Sequence, residues 1–227
     1  MAAASATVQA KKSLRAAISK IKKAIPENQI ALQSQQITNN IISSPFFQKS
    51  QGVSCYLSIG GEVDTSSLVL SILRSGKKLY VPKLDSGSLH MVRLYGEEDY
   101  RTLRSGVWGI KEPAWEWENK KRESGKPTDD DCPGIDLMLM PGVAFDKGFS
   151  RIGYGKGYYD QFLSRYTAAK GGSAPLLVAL ALKEQLLEAG KIPVEDHDWK
   201  MNLVVTGEEV LTNDTPSNQP STLDTEA

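Results

Sequence analysis

Two nearly uninterrupted apolar runs, IDLMLMP (135–141) and PLLVALAL (175–182), limit what this chain can fold into. A strand that faces water on one side alternates apolar and polar residues. A run without alternation is covered on both faces, as in a parallel sheet held between helices. The stretch between the runs supplies such a helix: over 157–169, Phe162, Leu163 and Tyr166 fall on one side of a helical period. Upstream, VSCYLSI (53–59) is a shorter buried run bounded by Gly52 and Gly60-Gly61. Asp64 or Thr65 is placed to cap a helix over 66–75, and Gly76 to stop it. KLYVPKL (78–84) and LHMVRL (89–94) flank the turn Asp85-Ser86-Gly87 as a hairpin.

The ends of the chain extend the pattern. Val8, Leu14, Ile18, Ile21 and Ile25 keep helical spacing over 8–24, and Lys11, Lys12, Arg15, Lys20, Lys22 and Lys23 crowd the remaining face. Pro26 separates this helix from a second over 27–43, marked by Ile30, Ile37 and Ile41. KEQLLEAG (183–190) reads as a short helix with a glycine stop, and NLVVT (202–206) as a last strand. Strands alternating with helices predict one α/β layer sandwich with a mainly parallel sheet, a single domain over residues 1–211. Residues 111–134, charged and turn-rich around Trp115 and Trp117, read as a surface insertion. Residues 212–227 have no apolar period and read as a disordered tail.

Composition removes several functions. The 27 basic residues equal the 27 acidic ones, so no bulk charge draws the chain to nucleic acid or an anionic membrane. No apolar run reaches the roughly 18 residues of a bilayer span. Cys55 and Cys132 form no CxxC, and His90 and His197 complete no zinc pattern. Cys55 reads as a core residue and His197 as a surface one. The expected setting is a reduced compartment: the cytoplasm, or an organelle if a presequence has been removed.

The chemistry concentrates in MPGVAFDKGFSRIGYGKGYYDQFL (140–163). Gly153, Gly155 and Gly157 alternate just before a helix. Glycines allow a loop to turn its backbone N–H groups toward an anion, and the helix N-terminus adds about half a positive charge. Arg151 and Lys156 add two full cations, each charge-assisted phosphate contact contributing roughly 1.5–3 kcal/mol. Asp160, three residues into the helix, either caps the dipole or holds a hard cation against the phosphates. GxxxxGK[ST] is absent, and Tyr158 stands where GxGxxG needs its third glycine, so neither common nucleotide signature applies.

PGVAFD…RIGYGKGYYD resembles the signature of the 5-formyltetrahydrofolate cyclo-ligase family, also called methenyltetrahydrofolate synthetases. KKSLR (11–15), LSIGGEVDTSSL (57–68), LALKEQLL (180–187) and PVEDHDWKMNLVVT (193–206) resemble further family blocks in the same order. The resemblance implies a three-layer α/β/α sandwich with a mainly parallel, Rossmann-like sheet. It implies a monomeric ligase (EC 6.3.3.2) that uses ATP and Mg²⁺ to convert 5-formyltetrahydrofolate to 5,10-methenyltetrahydrofolate, with release of ADP and phosphate. Carried onto this chain, ATP would meet Lys11, Lys12, Arg15, Arg151, Gly153, Gly155, Lys156, Gly157 and Tyr159. The folate would meet Leu57, Glu62, Tyr154, Gly155, Lys156, Gly157 and Tyr158. Asp160 and Asp198 would hold the metal, and Arg151, Lys156 and Tyr158 would act in the reaction.

Some family members carry Arg where this chain has Tyr154. A tyrosine brings no charge, so stacking or shaping the pocket is its expected role. Trp108, Trp115 and Trp117 are expected either to wall a pocket or to pack within loops. Two other readings use a glycine loop on a layered sheet: a sugar-phosphate or acyl-CoA enzyme, and a binding module without turnover. The paired Asp160 and Asp198 favour a metal–nucleotide site over both.

Overall fold

The computed structural model describes residues 2–106, 111–125 and 134–213. Helix α1 (Ala2–Lys23) is followed after Pro26 by α2 (Glu27–Ser43) and the short α3 (Pro45–Lys49). Strand β1 (Gly52–Cys55) leads through a loop to α4 (Ser66–Arg74). The Asp64 carboxylate accepts from the Ser66 N–H at 2.9 Å at the start of α4, and Gly76 follows its end with φ +75°. Strands β2 (Lys78–Asp85) and β3 (Ser88–Leu94) form the expected hairpin. Ser86 and Gly87 both have positive φ, 47° and 76°, the twist that a two-residue hairpin turn requires.

Helix α5 (Glu97–Arg101) and β4 (Arg104–Ser105) precede the insertion, whose β5 (Lys111–Glu112) pairs with β4 and whose β6 (Glu116–Trp117) pairs with β7 (Lys120–Lys121). The described part of the insertion is anchored. Arg122 forms a buried two-pronged ion pair with Asp99, both bonds at 2.6 Å, and donates to the carbonyls of Arg93 and Ala114.

The apolar runs become β8 (Leu137–Met140) and β11 (Leu176–Leu180), with β9 (Ala144–Asp146), β10 (Arg151–Ile152) and α6 (Tyr158–Ala169) between them. Next come β12 (Leu186–Leu187), β13 (Leu203–Val205) and β14 (Val210–Thr212). One seven-stranded sheet runs β14-β13-β11-β8-β1-β2-β3. All pairings from β13 to β2 are parallel, and β14 and β3 close the edges antiparallel.

Alternation within the buried strands builds two cores. Leu137, Leu139, Val178 and Leu180 pack with Ile37, Ile41, Leu68 and Ile72 of α2 and α4. Met138, Met140, Leu177 and Ala179 pack with Phe162, Leu163 and Tyr166 of α6. Helices therefore cover both faces of the sheet, as expected for a three-layer sandwich. A third cluster seats Ile18 of α1 on Val143, Ala144 and Ile152, against the small sheet β10-β9-β12.

Three local readings are corrected. Residues 183–190 are not a helix: one 3₁₀ turn, Lys183–Gln185, gives way to β12. The buried Gln185 amide donates to the carbonyls of Gly142 and Val143, and its oxygen accepts from the Leu182 N–H, fixing the chain in a non-helical course. The first strand ends at Cys55, where the Tyr56 carbonyl turns to the Thr65 hydroxyl at 2.8 Å. Thr212, assigned to the tail, closes β14, and Asn213 donates to the Asn202 carbonyl at 2.8 Å. Residues 214–227, with the rest of the expected tail, lie outside the described residues, as do Trp108 and Cys132.

Candidate active site

The order of the parallel strands locates a site before any side chain is considered. From the central strand β1 the chain moves outward to β2. It then returns to the other side of β1 as β8 and continues outward to β11 and β13. The connections diverge between β1 and β8, and such a switch point leaves a crevice at the strands' carboxyl ends. Two segments leave from there: residues 56–65 after β1, which carry Leu57 and Glu62, and residues 141–157 after β8, which carry the glycine loop.

A cleft of about 720 Å³ lies between α1, the glycine loop, the start of α6 and residues 195–198. Lys11, Arg15, Arg151, Lys156, Asp160 and Asp198 all line it. Lys11 and Arg15 face it because they lie one helical turn apart on α1, on the face that Ile18 fixes against the small sheet. Lys12 is exposed and lines no part of the cleft, since a one-residue step turns it to another face of the helix.

Two cations of the cleft, Lys11 and Arg151, are held by carboxylates. Lys11 Nζ donates to Glu195 Oε2 at 2.7 Å and to Asp198 Oδ2 at 2.5 Å. Burial pulls the Lys11 ammonium down, but the bonds and charges of these two carboxylates outweigh it and hold its pKa above the usual lysine value. The Lys11 bond in turn holds Glu195 below the usual carboxylate range. Arg151 Nη2 donates to Asp160 Oδ2 at 2.7 Å, its Nη1 reaches the Pro141 carbonyl at 3.4 Å, and its buried Nε has no partner among the described residues. The N–H of Trp199, next to Asp198, donates to Asp160 Oδ1 at 3.3 Å, and both expected metal carboxylates line the cleft.

The glycines serve close approach. A Cβ on Gly153 would meet Arg151 Nη1 at 2.9 Å, and one on Gly155, at φ +94°, would meet the Arg15 guanidinium at 3.3 Å. Arg15 Nε donates to the Gly153 carbonyl at 2.7 Å, tying α1 to the loop. Gly157 takes a left-handed φ of +66° as the N-cap of α6, so the helix N-terminus opens into the cleft. Lys156 is exposed and makes no ion pair among the described residues.

The folate-side residues gather around Glu62, which is only 6% exposed. Tyr154 reaches over from the glycine loop and its hydroxyl donates to Glu62 Oε1 at 2.5 Å, while the Ile59 N–H donates to Oε2 at 3.1 Å. Burial pushes the Glu62 pKa up, and these hydrogen bonds only partly oppose it. Tyr159 lies beneath Arg151, with the guanidinium 5.8 Å from its ring centroid, and its hydroxyl is pushed up mainly by burial and further by Glu62. Leu57 is buried in the α2–α4 core at the end of this loop, and Tyr158 packs against the α6 core.

Two residues here were not singled out in the sequence. Glu195 completes the grip on Lys11. Lys22, 8% exposed, sits 5.8 Å from the Tyr154 ring centroid, with Nζ 3.5 Å from its hydroxyl. Spacing carries the missed signal: residues 11, 15, 18 and 22 follow the i, i+4, i+7, i+11 pattern of one helix face. The tryptophans expected as possible pocket walls are elsewhere. Trp115 stacks edge-on to His90 at 5.3 Å, Trp117 lies under Arg122 at 5.7 Å, and neither lines the cleft. Cys55 is buried as expected, its thiol pushed up to about 12 by burial. His197 is exposed at the cleft rim.

Comparison with known proteins shows the family. The model of the 5-formyltetrahydrofolate cyclo-ligase family matches residues 7–207. The chain belongs to this family. It is 34% identical to a probable 5-formyltetrahydrofolate cyclo-ligase of Caenorhabditis elegans, over 93% of this chain and 99% of that protein. It is 35% identical to the mouse 5-formyltetrahydrofolate cyclo-ligase, over 92% and 96% of the two chains. The solved 5,10-methenyltetrahydrofolate synthetase of Aquifex aeolicus superposes with a TM-score of 0.72 at 28% identity, covering 95% of this chain and 99% of that one. Both segments at the switch point, the Glu62 loop and the glycine loop, fall within the matched region.

Proposed function

We infer that this cyclo-ligase closes 5-formyltetrahydrofolate to 5,10-methenyltetrahydrofolate at the expense of ATP. The observation that carries the reading is the convergence of Arg15, Arg151, Lys156 and the α6 N-terminus on one cleft, joined through Tyr154 to a buried carboxylate. A formyl amide is a poor electrophile and its oxygen a poor leaving group. Attack of the formyl oxygen on the γ-phosphorus breaks the bond to ADP and gives an iminium phosphate. N10 then bonds to the formyl carbon and gives up its proton, and phosphate departs. This route needs positioning and charge neutralisation rather than a covalent nucleophile.

Roles follow from geometry. Lys156, without a carboxylate partner, is free to follow the transferred phosphoryl group. Arg15 and Arg151 fix the loop's shape as well as its charge. Lys11 and Arg151 are each paired with a carboxylate, so triphosphate binding exchanges acidic partners for phosphate oxygens. Among the described residues no three His, Cys, Asp or Glu side chains form a metal cage. Mg²⁺ keeps several waters and takes one or two carboxylates plus phosphate oxygens. Asp160 and Asp198 would hold it, and when bound it supplies charge neutralisation on the phosphates. Glu62 presents paired acceptors to the donor edge of the pterin ring.

The reading includes a monomer that works in the cytoplasm on small molecules, with no nucleic-acid or membrane partner. The even balance of 27 basic and 27 acidic residues supports the last of these points. The test is direct. Purified protein with ATP, Mg²⁺ and 5-formyltetrahydrofolate is expected to produce the absorbance of the methenyl product, and omission of Mg²⁺ to abolish it. A folded sample that forms no product with all components present would refute the assignment.

A further inference from the structure

Lys22 is the one lysine of α1 whose ammonium is drawn under the folate-side loop. Its side chain is buried, yet a single hydrogen bond, at 3.5 Å to the Tyr154 hydroxyl, is its share of partners among the described residues. An ammonium has three donors, and leaving them unmet away from water is costly. Lys11, on the same helix face, shows the contrast: its ammonium has two carboxylate contacts, both at 2.7 Å or less.

The neighbours of Lys22 define what it can meet. Its Nζ donates to the Tyr154 oxygen, and the same hydroxyl passes its own proton to Glu62 Oε1. The hydroxyl is thereby committed in both directions, and one ammonium and one carboxylate are held either side of it. Burial lowers the Lys22 pKa, the charge of Glu62 opposing the shift, while burial raises that of Glu62. Neither group is fully neutralised by the other, as expected of a donor and an acceptor kept apart for a third party.

A reduced pterin presents such a third party. Its pyrimidine edge places a 4-oxo acceptor beside two donors, N3–H and the 2-amino group. A carboxylate satisfies the two donors and leaves the oxo group in need of a donor. We propose that Lys22 donates to the 4-oxo group of the pterin while Glu62 accepts from N3–H and the 2-amino group, so that together they read the whole ring edge. The inference rests on the cyclo-ligase reading above and adds a specificity-determining residue to it. Tyr154, which brings no charge of its own, sets the spacing between the two.

The experiment measures dissociation constants by calorimetry for wild type, Lys22→Met and Lys22→Arg, with melting temperatures. Lys22→Met is expected to weaken 5-formyltetrahydrofolate at least tenfold and to change Mg·ATP less than twofold, while its melting temperature holds or rises, because an under-coordinated buried charge is gone. Lys22→Arg keeps the donor and is expected to recover most of the affinity. A 4-amino analogue, tested at a pH where its ring is uncharged, replaces the 4-oxo acceptor with a donor and leaves N3 without its hydrogen, so both Lys22 and Glu62 lose a partner. Wild type is expected to bind it at least tenfold more weakly than the parent, and Lys22→Met to keep only the part of that discrimination that Glu62 supplies. Unchanged folate affinity in Lys22→Met, equal losses for folate and Mg·ATP, or discrimination undiminished by the substitution would each overturn the assignment to Lys22. A wild-type protein that binds Mg·ATP but no folate would instead overturn the cyclo-ligase reading, and this inference with it.

Discussion

The cleft lined by Lys11, Arg151 and Asp160 and the cluster around Glu62, the proposed folate pocket, share the 151–157 loop, yet they hold charge in different ways. In the cleft each buried cation already has an acid: Lys11 has Glu195 and Asp198, and Arg151 has Asp160. In the pocket the acid and the base are separated by a tyrosine hydroxyl, and burial moves the pKa of each toward neutrality. The first arrangement suits a polyanion, which takes over the cations and leaves two carboxylates to a metal. The second suits a neutral ring with a fixed order of donors and acceptors. Paired charges keep the cleft's cations from repelling one another, whereas separated ones keep the pocket selective.

Substitutions on the two sides are expected to break this comparison apart. Lys156→Ala removes a cation unpaired among the described residues and should lower kcat/KM for ATP by about 10²–10³-fold, with the melting temperature unchanged because the side chain is exposed. Steady-state kinetics with varied ATP checks it.

Lys11→Met leaves Glu195 and Asp198 facing each other without a cation and should raise the KM for ATP by about tenfold. It should also alter the acid limb of stability. Lys11 depresses Glu195, so the stabilisation from this pair is present above the ordinary carboxylate range and is lost as pH falls through the lowered value. Urea midpoints across acid pH should show this loss in the wild type and not in the variant.

Gly155→Ala puts a side chain at φ +94° and 3.3 Å from the Arg15 guanidinium. It should cost about 1 kcal/mol of stability and raise the KM for ATP a few-fold, with little change in the KM for folate. The smallest effect is on stability in the pocket. The raised Glu62 pKa means the native state resists ionisation. Wild type therefore loses ground as pH rises from the ordinary carboxylate value through the raised one. Glu62→Gln should match wild type in acid and be slightly the more stable at neutral pH, as read by urea midpoints at the two values.

How much of this was legible beforehand depends on where each signal lies. The apolar runs at 135–141 and 175–182 announce the central strands because both faces of a parallel sheet demand it. Arg151, Lys156 and Asp160 stand in one motif, so the cleft could be read locally, and Lys11, Arg15 and Asp198 came through family resemblance. What stayed hidden is tertiary. Residues 183–190 carry a helical composition, but Gln185 is held by carbonyls at 142 and 143 that no local pattern reveals. Lys22 is one cation among several on α1, and only its register with Lys11, Arg15 and Ile18 separates it from a solvated face. Trp115 and Trp117 stayed open between pocket wall and loop packing because aromatic composition says nothing of position; the buried Arg122–Asp99 pair anchors their segment away from the cleft.

The division between cleft and pocket is tested most directly by a crossed binding measurement. Mg·ATP and 5-formyltetrahydrofolate are titrated separately into Lys156→Ala and Glu62→Gln, each compared with wild type. The account expects Lys156→Ala to lose affinity for the nucleotide and keep the folate, and Glu62→Gln to do the reverse. Losses of both ligands in both variants, or the opposite pairing, would contradict it.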